Sequence, residues 1–126
     1  MPKYAALIYS DAADEARQPS PEEMGQVMNE YTVFGRDNEQ SIAGGEALHP
    51  TATATTIHFE GGRDGELVVT DGPFAETKEV LGGFYLLDVT DLDEAIKVAQ
   101  QIPGAWHGKV EVRPVMEFDD SGQPAG

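Results

Sequence analysis

The ten residues TDGPFAETKE (70–79) set four ionisable side chains, Asp71, Glu76, Lys78 and Glu79, beside a Gly-Pro turn. Asp-Gly is a turn dipeptide, and proline fixes φ for the step that follows. The corner has two readings. In the structural one, Asp71 bonds nearby backbone N–H groups as an Asx-type cap, and Phe74 anchors the corner in the core. In the chemical one, a rigid loop presents Asp71, Glu76 and Lys78 to a pocket. Burial beside other carboxylates raises a carboxyl pKa and a neighbouring ammonium lowers it, so either can tune a general base. Asp71 is then the base or orienting group, and Glu76 and Lys78 contact substrate.

Five other side chains enter the same search. His49 precedes Pro50 in a loop and could approach the corner as a second catalytic group. His107 follows Trp106 just before the closing strand; it either sits in an exposed turn or lines a pocket with Arg113. Arg113 could clamp a substrate carboxylate in bidentate fashion, against the plainer reading of an ion pair with one of 23 acids. Tyr31 is either a core residue whose hydroxyl finds a partner or a ligand-orienting group at a pocket mouth. His58 lies two residues from Glu60 on a strand face that reads as solvent-exposed. No histidine pair has metal-ligand spacing, no G-x-S-x-G elbow is present, and the glycine pairs lack phosphate-loop partners. The reading includes no metal and no cofactor.

The elements that must position these residues are legible from periodicity. KYAALIYS (3–10) reads as a strand followed by a loop. Ser20, Pro21 and Glu23 form a capping box, and Met24, Val27, Met28, Tyr31 and Phe34 follow at helical spacing, predicting a helix from 21 to about 38. SIAGGEAL (41–48) reads as a strand with a Gly-Gly bend. TATATTIHFE (51–60), GGRDG and ELVVTDG (66–72) predict a hairpin. GGFYLLDVT (82–90) is another strand, DLDEAIKVAQQIPG a second helix, and GKVEVRPVMEF (108–118) a closing strand that, because of Pro114, either lies at a sheet edge or carries a bulge there. The result is one α+β domain, 1–118, on a ferredoxin-like split βαβ plan with an added hairpin, then a loose polar tail, 119–126.

Two helices cover one face of a sheet, yet YAALIY and GFYLL are apolar on both alternating faces. Burying one large apolar side chain is worth about 1.5–3 kcal/mol, so a wet second face is costly. A homodimer, packed sheet against sheet, is therefore expected.

Bulk composition narrows the partners. The net charge is −15, and the eight Lys and Arg are scattered, so polyanion binding to nucleic acid or an anionic membrane is disfavoured. The chain has no cysteine, and its N-terminal apolar run is too short for a signal or membrane segment. These features fit a cytoplasmic protein.

DGPFAETKE, GGFYL, LDEA and EVRP, with KYAALIYSD, SPEEM and LHPTATATT before them, resemble the DGPF-domain proteins of the YCII-related family over about residues 3–117. The resemblance implies a dimeric α/β-barrel architecture. Some members look like lactone-processing or dehalogenating enzymes; others occur beside or fused to extracytoplasmic-function sigma factors, which implies a regulatory alternative. In smaller members a His–Asp pair, with the histidine on the first helix, has been proposed as catalytic; the helix here has Met28, Tyr31 and Phe34 on its inner face and no histidine. The combined expectation is a small organic acid or lactone bound near the corner. Whether the chain catalyses or only binds stays open on these residues.

Overall fold

The computed structural model describes residues 2–125. Lys3–Asp11 forms β1, and Asp11 then caps a five-residue helix α1 (Ala12–Ala16), its carboxylate accepting from the Ala13 N–H at 2.8 Å. The sequence reads as loop here because five residues show no helical period; one Asx cap and the Ala12 N–H bond to Lys78 O suffice to turn the chain. Helix α2 (Pro21–Asp37) starts as the capping box requires: Ser20 Oγ accepts from the Glu23 N–H at 3.2 Å. It ends where Asn38 Nδ2 donates to Phe34 O and to Gln101 Oε1.

Ile42–Ala47 forms β2, Thr55–Glu60 and Glu66–Asp71 pair as β3 and β4, and Glu79–Asp88 forms β5. Helix α3 (Leu92–Ala99) is capped by Asp91, which accepts from the Glu94 N–H at 2.9 Å. A single turn α4 (Gly104–His107) leads into β6 (Lys109–Pro114). The main sheet is antiparallel in the order β2-β5-β1-β6, compatible with a ferredoxin-like fold. Pro114 lies on its edge strand β6, where a missing N–H removes no internal ladder bond. Beyond it, β7 (Glu117–Phe118) pairs with β8 (Pro124–Ala125). Among the described residues no helix is long and apolar enough to cross a membrane.

The core sits on one face of the sheet. Ala6, Leu87, Ala95 and Ile102 are fully buried, and Phe34 packs edge-on against Tyr85 with ring centroids 5.0 Å apart. Helix α2 commits only its C-terminal half to this core. Phe34 is buried and Tyr31 half-buried, but Met24, Val27 and Met28 are exposed, Met28 by 63%. The inner face expected for Met28 is therefore absent, and the space beneath the first turns of α2 is a cleft.

The hairpin β3–β4 is a separate two-stranded sheet, an arm beside the main one. The corner expected to be pinned by Phe74 is instead open: Phe74 is 84% exposed. Gly72 takes φ 97, the left-handed turn that a side chain would strain. Backbone bonds hold it, Gly72 N–H to Ala54 O at 2.7 Å and Thr56 Oγ1 to Gly72 O at 2.8 Å. Those bonds fix the corner to the arm, so the core has no call on Phe74.

Candidate functional site: a cleft between α2 and the sheet

The cleft has a volume of about 900 Å³ and is bounded by α1, α2, the strands β1, β2 and β5, and the α4 turn. Ile8, Val27 and the tyrosines Tyr31 and Tyr85 give it apolar walls, with Glu30 and His107 among its polar lining. Three local features build it. The Ser20 cap sets where α2 begins. The exposed Arg17–Glu23 pair, 3.1 Å, ties the approach of α2 to its first turn at the cleft mouth. Pro103 and Gly104 then bend the chain so that α4 closes the far end.

Gly104 is where close approach matters. A Cβ there would stand 2.5 Å from Ile8 Cγ2 and 3.1 Å from the Tyr31 hydroxyl, so a side chain would push into the spot where that hydroxyl sits. Burial raises the Tyr31 pKa above the usual phenol value, and the neighbouring Tyr85 raises it further; the Gly104 amide opposes both. Burial raises Tyr85 as well. Like any phenol, both are protonated at neutral pH and can donate hydrogen bonds into an apolar space. His107 Nε2 lies 3.8 Å from Glu30 Oε1, a pair whose carboxylate is 24% exposed and whose imidazole is open to solvent.

Glu15 supplies the last polar feature. One of its oxygens accepts from the Thr51 N–H and, at 2.9 Å, from Thr51 Oγ1, tying α1 to the base of the arm. Its other oxygen is buried and accepts no hydrogen bond. A buried, unpaired carboxylate oxygen is expensive, and a donor on a bound molecule would satisfy it.

The residues singled out in the sequence divide between three places. Tyr31 and His107 line the cleft. Lys78 lines an open groove of about 730 Å³ on the opposite sheet face, with Tyr9, Lys109 and Glu111, where Lys109 pairs with Glu79. Arg113 is exposed on that same opposite face, across from Ala5. Asp71 ends β4 opposite Thr55, exposed and without a side-chain hydrogen bond among the described residues. Glu76 is exposed in the loop after the corner, and His49 is exposed before the turn at Thr51–Thr53. None of these five, Lys78, Arg113, Asp71, Glu76 and His49, lines the cleft. No group of three or more His, Asp or Glu side chains among the described residues is arranged to hold a metal.

Sequence reasoning missed Gly104, Glu15 and Glu30. The Gly104 signal was in view: a Pro-Gly stop directly before Trp106 and His107 marks a tight turn at a strand entry. The roles of Glu15 and Glu30 depend on tertiary contacts that no local pattern encodes.

A relative of almost equal length is similar in sequence to this chain over nearly all of it. An uncharacterized protein of Rhizobium meliloti (strain 1021) is 37% identical over 126 residues, covering 97% of this chain and 98% of the relative. The family model described as the YCII-related domain matches residues 2–119. With that match spanning nearly all of it, the chain belongs to the YCII-related domain family.

Proposed function

We propose that this chain binds a small organic molecule in the cleft between α2 and the sheet, with the Tyr31 hydroxyl as the orienting donor. The observation that carries the reading is the pairing of apolar walls with a half-buried phenol, held protonated, in a space of small-ligand size. Of the two ligand classes expected from the sequence, an organic acid or a lactone, the cleft favours the lactone. Five carboxylates surround it, Asp14, Glu15, Glu23, Glu30 and Glu46, and its arginine, Arg17, is already paired with Glu23. A free carboxylate would meet like charge, whereas a neutral ring carbonyl accepts from Tyr31 and a ring hydroxyl donates to Glu15. If the ligand is also turned over, His107 with Glu30 is the pair within reach to move a proton. Asp71 and His49, the catalytic pair expected from the sequence, serve in this reading only if a ligand bridges to them from outside the cleft.

The test is a thermal-shift and calorimetric panel of small lactones beside their ring-opened acids. A lactone should raise the melting temperature and bind about five- to tenfold more weakly to Tyr31→Phe, the loss of one hydrogen bond, while Asp71→Asn leaves binding unchanged. No stabilisation by any lactone, or loss of binding in Asp71→Asn with Tyr31→Phe unaffected, overturns the cleft as the site. The competing reading, a regulatory module associated with extracytoplasmic-function sigma factors, predicts the reverse pattern: no ligand, and a sigma factor retained at low salt.

A further inference from the structure

The cleft beneath α2 is unbalanced in charge. Five carboxylates line it, Asp14, Glu15, Glu23, Glu30 and Glu46, against one arginine. That arginine is already taken, since Arg17 Nη1 lies 3.1 Å from Glu23 Oε2 at the mouth. Of the four carboxylates that remain, Asp14, Glu15 and Glu46 have no ion-pair partner among the described residues. Glu30 has only the His107 imidazole, 3.8 Å away and outside hydrogen-bond reach.

Two of these four are withdrawn from water. The Glu30 side chain is 24% exposed. One Glu15 oxygen accepts from Thr51, and the other is buried with no hydrogen-bond partner. A charge held away from solvent needs donors or an opposite charge beside it. The described residues supply Glu15 with neither at its buried oxygen, so the orphan itself points to a donor from outside the chain. A metal ion is a poor candidate, because no group of three His, Asp or Glu side chains among the described residues is arranged to hold one.

An organic ammonium fits each of these features. It brings both the missing positive charge and N–H donors, and a charge-assisted hydrogen bond is about twice as strong as the neutral one a hydroxyl makes. The phenol rings of Tyr31 and Tyr85 in the walls attract a cation through their faces. A concave site of one sign, in a chain of net charge −15, concentrates cations from solution and turns anions away.

We infer that the ligand of this cleft carries a protonated amine, and that its class is an amino-substituted lactone. The ring carbonyl accepts from Tyr31, Glu15 holds the ammonium, and Glu30 adds to the field. The inference rests on the cleft being a lactone site and narrows that reading: the substituent that meets Glu15 is an ammonium in place of a ring hydroxyl. N-acylation removes the charge, and ring opening adds a carboxylate to a site that already has five, so both products should leave.

The experiment is titration calorimetry on the full chain, buffered below the pKa of the amine, with three probes: α-amino-γ-butyrolactone, its N-acetyl derivative and unsubstituted γ-butyrolactone. The protonated amine should bind about tenfold more tightly than either uncharged ring, and only its affinity should fall as salt is raised. Glu15→Gln should abolish that preference and leave the uncharged rings as they were; its amide carbonyl still accepts from Thr51, so the fold is kept. Should Glu15→Gln melt early, Glu30→Gln reads the same preference, with a loss of about threefold expected for the amine alone. An uncharged ring that binds as tightly as the amine, or a preference that survives both glutamine variants, overturns the ammonium and leaves the cleft a lactone site. No binding by any of the three overturns the lactone reading and this inference with it.

Discussion

Tyr31 is the residue whose environment most determines what the cleft can do. Its hydroxyl is held by burial in the neutral form, and Tyr85 beside it reinforces this. Folding therefore raises its pKa, and the sign of the linkage follows. The neutral phenol contributes its stability below the unfolded value of about 10, and loses it as the pH climbs through the higher folded value. Titration of the phenolate absorbance should show a component above pH 10 that Tyr31→Phe removes; a titration identical in the variant contradicts the burial argued for Tyr31. Tyr31→Phe should weaken a bound lactone by about 1–1.5 kcal/mol, one hydrogen bond, with little change in fold stability. Gly104→Ala should cost about 1–3 kcal/mol of stability in denaturant melts, because its Cβ would overlap Ile8 and crowd the Tyr31 hydroxyl. At this scale the sequence was half-legible. Tyr31 and His107 could be picked out because an aromatic on a helical stripe and a histidine at a strand entry are local facts. Glu30 and Glu15 could not, since a glutamate on a charged helix reads as solvated until its tertiary neighbours are known.

At the scale of elements, the capping signals were the most reliable text. Ser20-Pro21-Glu23 set the start of α2, and Asp91 with Glu94 the start of α3, because a cap is decided by four residues and their own backbone. Ser20→Ala should lower stability by about 1 kcal/mol in urea melts, while Arg17→Ala should change it little, its ion pair being exposed. Periodicity was less faithful to burial. The stripe from Met24 to Phe34 predicts a helix packed along its length, and the helix forms, but only its last turns reach the core. Alternation in 55–60 and 66–71 predicts the hairpin correctly and leaves its destination blank, since the pattern identifies an apolar face and not the surface that covers it. Phe74 shows the same limit: an aromatic beside a Gly-Pro turn reads as an anchor, yet its ring is left exposed.

The whole molecule presents two different surfaces on opposite sides of one sheet: a polar-lipped cleft beneath α2, and an open face that carries Lys78 and Arg113. The strand order explains the division, because the helices shelter one face of the β2-β5-β1-β6 sheet and leave the other open. If two copies associate as the apolar second sheet face leads one to expect, chains of net charge −15 repel one another, so the association should tighten as salt is raised, the reverse of an interface held by ion pairs. Sedimentation across a salt series reads this directly, and dissociation at high salt would contradict an apolar seam. The account rests most on the cleft, rather than the DGPF corner, being where a ligand enters. Amide chemical shifts of isotope-labelled protein, titrated with the lactone panel, map every surface in one measurement. Shifts should concentrate at Tyr31, Gly83, Gly104 and Gly108 and spare residues 71–78; shifts that gather at Asp71–Lys78 and leave α2 and α4 untouched would contradict the account.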